Sequence, residues 1–222
     1  MSEGLGPQID YTDDAGPARE QPTGRRAVRR MYPREPQEHY VEEPWVSRRL
    51  LEEREYGPVV VDPCAGFGHV VASARSLGLR AYGSDLVKRA PGVAGGCDFL
   101  SDDWRPPRRA GADFAIVCNP PFGGRAPLIR QFAELALARA RHVALLVPVK
   151  RLAAAGVWLE RLPLVETLHI DRRTSLWPGR IYAAKIAAGE KLRNGFDDVV
   201  WLRFDAQARP RRASISWLRR DG

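Results

Sequence analysis

A chain of 222 residues, 44% of them hydrophobic, is long enough to bury one substantial core and suggests a single domain with tails. It contains no run of about eighteen apolar residues, as a membrane span needs, and Met1-Ser2-Glu3-Gly4-Leu5 lacks the basic-then-apolar pattern of a secretory signal, so a cytoplasmic protein without membrane contact is expected. The formal net charge of +8, from 35 Lys and Arg against 27 Asp and Glu, suggests a polyanionic partner such as nucleic acid.

Residues 1–36 carry Gly, Pro, acids and arginines with hardly any aliphatic side chains, the composition of a disordered arm. Its Arg25-Arg26 and Arg29-Arg30 pairs either touch a phosphate backbone or belong to a solvated tail. Order is expected over residues 37–206, and a basic tail over 207–222. Pro44 opens a predicted helix running through Arg54, since the N–H that proline lacks has no partner in a first turn. Val59-Val60-Val61 reads as a strand buried on both faces. It runs into the loop Asp62-Pro63-Cys64-Ala65-Gly66-Phe67-Gly68, whose two glycines let the backbone turn sharply and lie against a ligand where a Cβ would clash. A dinucleotide fingerprint would want a third glycine where Val71 stands, and no Gly-Lys-Ser/Thr follows to make a phosphate-cradling loop.

A helix is predicted from His69 to Leu77, closed by Gly78. The strand Arg80–Asp85 ends in an acid placed to accept hydrogen bonds from ribose hydroxyls, with Leu86 following. Cys97-Asp98-Phe99-Leu100 reads as a third strand. Phe114–Val117 is a further buried strand, leading to Asn119-Pro120-Pro121-Phe122; proline cannot continue a central strand, so the chain must leave the sheet there. Ligands on such sheets sit at the carboxyl ends of strands, beside the point where strand order reverses, so the Gly66 and Asn119 loops should face one crevice. Gly123-Gly124-Arg125 forms a cationic lip, and Pro127 opens a helix to about Arg139.

Strands are expected over His142–Val149 and Val165–Asp171, with a helix near Leu152–Leu162 between them. In Arg172–Tyr182, Arg172, Arg173 and Arg180 are candidate phosphate contacts and Trp177 a base-stacking ring; a plain surface hairpin at Trp177-Pro178-Gly179 is the competing reading. Val199–Phe204 is expected as the final strand. Cys64, Cys97 and Cys118 are too few and scattered for a disulfide framework or a zinc site, so they read as reduced structural residues and no metal is expected.

Asp62-x-x-x-Gly66-x-Gly68 followed by Asn119-Pro120-Pro121-Phe122 resembles motifs I and IV of the class I, Rossmann-like methyltransferases, in the Asn-Pro-Pro-aromatic form typical of DNA adenine-N6 enzymes. The resemblance covers residues from about 39 to 122, in the order of the gamma arrangement, and the whole is similar to compact phage-encoded forms. It implies an α/β fold with a mostly parallel seven-stranded sheet, helices on both faces and an antiparallel edge strand. It also implies S-adenosylmethionine as cofactor. That cofactor would be held by Tyr40, Asp62, Pro63, Cys64, Ala65, Gly66, Gly68, Asp85, Leu86, Asp98, Phe99 and Asn119. Catalysis would fall to Asn119, Pro120, Pro121 and Phe122. Tyr40 and Pro44-Trp45 fit the slot of motif X, where Glu43 departs from the usual threonine. The implied activity is methylation of an exocyclic amino nitrogen, foremost adenine N6 in DNA. RNA amino groups, a protein glutamine amide, and a non-catalytic nucleic-acid-binding protein of the same fold remain open alternatives.

Overall fold

The computed structural model describes residues 36–122, 127–152, 158–192, 197–209 and 212–220. The chain divides into residues 1–34 and 35–222, and only the second unit contains described residues. The N-terminal arm up to residue 35, including its arginine pairs, therefore lies outside the description, as does Arg125.

The strands of the main sheet follow from the apolar runs. β2 (Val59–Asp62) and β5 (Ala115–Cys118) are buried along their whole length, as strands covered on both faces must be. They pair in parallel, with Val60 opposite Ala115 and Val61 opposite Ile116. On one side of β2 lie β3 (Arg80–Ser84) and β4 (Val93–Ala94). Beyond β5 come β6 (His142–Pro148), β9 (Val199–Asp205), β7 (Leu164–Ile170) and β10 (Ser214–Leu218), giving the order β10-β7-β9-β6-β5-β2-β3-β4. The chain builds outward from β2 through β3 and β4, then returns to build the other half from β5. The reversal, and hence the crevice, falls between β2 and β5. Only β9 runs against its neighbours β6 and β7.

Helix α1 (Pro44–Glu53) begins on proline and packs on α2 (His69–Ser76), the Ser47 and Ser73 hydroxyls meeting at 3.2 Å. α3 (Pro127–Arg139) packs against β6. Near the crevice, β1 (Tyr40–Val41) and β8 (Trp177–Pro178) form a separate two-stranded antiparallel ribbon, followed by α4 (Gly179–Ala187).

Four expectations are corrected. The sheet has eight strands rather than seven, because Ser214–Leu218 leaves the presumed tail and pairs with β7: Leu218 is fully buried and the Ser216 hydroxyl reaches the Glu166 carboxylate. The antiparallel strand β9 is interior, not at the edge. Val199, Val200, Trp201 and Leu202 are all buried, which requires cover on both faces and neighbours on both sides. The third strand is Val93–Ala94, not Cys97–Leu100, where Asp98 instead folds a turn by accepting the Leu100 N–H at 2.9 Å. Trp177-Pro178-Gly179 is not a surface hairpin, since Trp177 is buried opposite Val41 and Gly179 opens α4.

Candidate active site

At the carboxyl ends of β2, β3 and β5 lies a cavity of about 290 Å³. It falls just short of the usual range for small-molecule sites, roughly 300–1,000 Å³. Both motif loops line it, with Asp62, Pro63, Cys64, Ala65 and Gly66 from one and Asn119 and Pro121 from the other. Tyr40, Asp85, Leu86, Asp98 and Phe99 complete the set of sequence-derived residues on its wall. The two loops, more than fifty positions apart in the chain, thus converge.

The first loop is held by its own backbone. Ala65 N–H donates to the Ser84 carbonyl at 3.0 Å and Gly66 N–H to Asp85 Oδ2 at 2.8 Å, while Gly66 takes a φ of +49° and Gly68 one of +83°. Positive φ is the region glycine enters without steric cost. A Cβ on Gly66 would also lie 2.8 Å from the His39 ring. Asp62 accepts the Cys64 N–H at 3.0 Å, yet burial, reinforced by Glu42 and Asp85, pushes its carboxyl well above the usual carboxylate range. Burial likewise raises the thiols of Cys64 and Cys118, which keeps both in the unreactive protonated form. Asp85 is the hub of the second strand end: besides Gly66 it takes the Val87 N–H at 3.0 Å and the Arg89 guanidinium at 2.7 Å.

Asn119 is oriented from outside its own loop. Its Nδ2 donates to the Tyr40 carbonyl at 2.8 Å and to the buried Glu42 carboxylate at 2.7 Å, and its Oδ1 is buried with no partner among the described residues. Pro120 is buried behind it. Phe122, expected as a stacking ring, is 5% exposed and belongs to the core. Phe99 does sit on the cavity wall, stacked on Phe132 with ring centroids 4.6 Å apart.

Sequence reasoning missed several wall residues. His39 lies edge-on to Phe67 at 4.9 Å, and burial together with Arg89 lowers its pKa to about 4. His69 receives support from both sides: its Nδ1 meets the Glu42 carbonyl at 2.9 Å and its Nε2 the Tyr182 hydroxyl at 3.2 Å. A carbonyl only accepts, so Nδ1 carries the proton and Tyr182 donates to Nε2. Glu43, the departure from the motif X pattern, is structural, accepting the Trp45 indole N–H at 2.7 Å and the Ser175 N–H at 3.2 Å. The one sequence signal for Glu42 was its place beside that departure.

Among the described residues, the candidate nucleic-acid contacts Arg172, Arg173, Trp177 and Arg180 do not line this cavity. Arg172 and Arg180 are exposed, Arg173 is paired with Asp198 at 2.8 Å, and Trp177 is 7% exposed with the Lys185 ammonium 5.4 Å from its ring centroid. Burial makes Trp177 a packing residue of the ribbon in this conformation, because a base needs an open ring face. Among the described residues no group of three or more His, Cys, Asp or Glu is placed to hold a metal ion, and no helix is long and apolar enough to cross a membrane.

The architecture, a large mostly parallel sheet with helices, is that of Rossmann-like methyltransferases. A protein of Listeria monocytogenes assigned as a class I S-adenosylmethionine-dependent methyltransferase matches 82% of this chain and 66% of its own, with 11% identity and a TM-score of 0.51. A protein of Pyrococcus horikoshii assigned as an RNA methyltransferase is 19% identical over 73% of this chain and 78% of its own, at a TM-score of 0.45. A type I restriction-modification methyltransferase subunit of Streptococcus thermophilus is 10% identical over 75% of this chain, at a TM-score of 0.47. The match spans only 45% of that subunit, so the chain represents less than half its length. At 11% identity the likeness to the Listeria protein shows the fold alone. No family model matches the chain, and no curated protein matches it in sequence.

Proposed function

We propose that this protein is an S-adenosylmethionine-dependent methyltransferase acting on an exocyclic amino nitrogen, foremost N6 of adenine in DNA. One observation carries the proposal. The Gly66 turn and Asn119 line the same cavity, and Asn119 Oδ1 is a buried acceptor with no donor among the described residues.

The wall suits the cofactor. Glu42, Asp62 and Asp85 surround the space with carboxyl groups that a sulfonium and an ammonium would offset, and Phe99, Leu100 and Leu86 offer apolar surface for a purine. The Nε2 of His39, a residue of the wall, adds a buried polar atom with no partner among the described residues. When bound, the cofactor supplies an electrophilic methyl group. Asp85 would hold its ribose and the Gly66 backbone would permit close approach. Asn119 Oδ1 and the Pro120 carbonyl accept the two N–H groups of the amine, which localises a lone pair otherwise delocalised into the ring. No strong base is needed, because the amine becomes acidic only once methylated; alignment supplies most of the rate. Phe122 stacks on an extruded base only after its loop opens, since its ring is buried.

The net charge of +8 supports a polyanionic acceptor. The test is incubation with methyl-labelled cofactor and separate DNA, RNA and protein acceptors, followed by nucleoside analysis. N6-methyladenine in DNA is expected. Label confined to RNA or protein transfers the reading to that acceptor, and no label in any of the three overturns it.

A further inference from the structure

We propose that Glu42 is a positioning residue that sets which way the Asn119 amide faces. The inference rests on the amino-methyltransferase reading for its functional consequence, though not for its geometry.

An amide nitrogen has two N–H donors, and in Asn119 both are spent: one on the Tyr40 carbonyl at 2.8 Å, the other on Glu42 Oε2 at 2.7 Å. Neither partner can donate in return while Glu42 is ionised. Rotating the amide by half a turn would set Oδ1 against two acceptors and forfeit both bonds, so the orientation is determined by the neighbours. Its consequence is that Oδ1 is buried and unmatched among the described residues. Buried acceptors without partners are rare in folded proteins, and one carried by a residue of the cavity wall invites a donor from a ligand. An amino group is such a donor.

The carboxylate does more than a second carbonyl would. A charged acceptor on the nitrogen side draws the amide toward its charge-separated form and places more negative charge on Oδ1, where the amine N–H must bind. Glu42 is also tied to the other loop. Its backbone carbonyl receives His69 Nδ1 at 2.9 Å, and His69 is the first residue of α2, directly after the Gly66–Gly68 turn. One residue therefore links the donor-side turn to the amine-side amide, 77 positions away in the chain.

The test uses Glu42→Gln and Glu42→Asp in the full chain, with two readouts. Glu42→Gln keeps size but loses the charge, and half its rotamers offer an N–H to Asn119. We expect kcat to fall about tenfold or more with cofactor affinity within about twofold of wild type, and Glu42→Asp, which retains the charge, to keep more activity than Glu42→Gln. The second readout is independent of turnover. The chain has two asparagines, Asn119 and Asn194, so the Asn119 side-chain amide signals can be assigned by their loss in Asn119→Ala. In Glu42→Gln those signals should shift and exchange with solvent faster. Full kcat in Glu42→Gln, a loss of cofactor affinity that accounts for the whole defect, or unmoved Asn119 signals would each overturn the proposal. Should wild type transfer no label to any acceptor, the reading of the site fails, while the amide signals still decide whether Glu42 orients Asn119.

Discussion

His39 concentrates several constraints in one side chain. It fills the gap between Gly66 and Gly179, and a Cβ on Gly179 would collide with its Nδ1. Packed there with no partner for its Nε2 among the described residues, it resists a proton, and its pKa falls from 6.5 to about 4 through burial first and Arg89 second. The unfolded chain binds that proton where the folded one does not, so the stability His39 permits is fully present above about pH 6.5 and lost as pH falls toward about 4. A urea midpoint that declines between pH 6.5 and 4.5 in wild type, and less in His39→Gln, is the expected result; parallel declines in both would remove His39 as the cause. The catalytic assignment belongs to the same scale. Asn119→Ala should lower kcat by roughly 10²–10³-fold, the usual loss when a donor or acceptor matched to the reacting group is removed, with cofactor binding retained. Asp85→Ala should instead weaken cofactor binding, because it removes the carboxylate that holds the Gly66 N–H at 2.8 Å. Calorimetric titration with the cofactor separates the two. Unchanged turnover in Asn119→Ala would end the assignment.

Among elements, the late strand β10 is the instructive one. The basic pairs on either side of it, Arg211-Arg212 and Arg219-Arg220, made it read as a tail, yet it closes a buried ion network. Glu166 on β7 receives Arg54 at 2.8 Å, Arg203 at 3.1 Å and the Ser216 hydroxyl, and Arg54 leads this set in lowering the Glu166 pKa to about 2. None of those partners is near Glu166 in sequence, so no local pattern announces the network. What was legible was local: three valines running into a glycine turn, Asn-Pro-Pro ending a buried strand, proline opening α1. What was not legible came from pairing across the sheet, including the interior place of β9 and the reach of Glu42 to Asn119. Glu166→Ala leaves two guanidinium groups facing an empty site and should cost about 3 kcal/mol, the low end for breaking a buried pair, because Arg54 and Arg203 keep about a quarter of their side chains exposed. Since the folded pKa is depressed, that contribution is present above about pH 4.5 and lost as pH falls toward 2. Chemical denaturation at pH 7 and at pH 3 checks both statements: the gap between wild type and Glu166→Ala should narrow in acid, and a gap that is absent at neutral pH would dismiss the network as a source of stability.

At the scale of the molecule, charge remains the main sign of an acceptor. Many surface arginines are paired, Arg48 with Glu52, Arg130 with Glu134 and Arg141 with Asp205 among them. Pairing redistributes charge without cancelling the excess, and 35 basic against 27 acidic side chains still leaves eight. The aromatic contact foreseen at Trp177 is buried, whereas Trp217, 60% exposed on β10 and stacked on His169, is an open ring. Affinity for a nucleic acid should accordingly be dominated by phosphate contacts rather than by rings near the cavity. Counterion release then sets the salt dependence: with about four phosphates neutralised, the association constant should drop roughly a hundredfold between 50 and 200 mM salt. Cofactor binding, which releases no condensed counterions, should change far less over the same interval. Fluorescence anisotropy with a labelled duplex, with and without cofactor, reads the first quantity, and calorimetry the second. A duplex affinity indifferent to salt would break the link between the basic surface and a polyanionic acceptor, and would favour a protein amide as the group that meets Asn119.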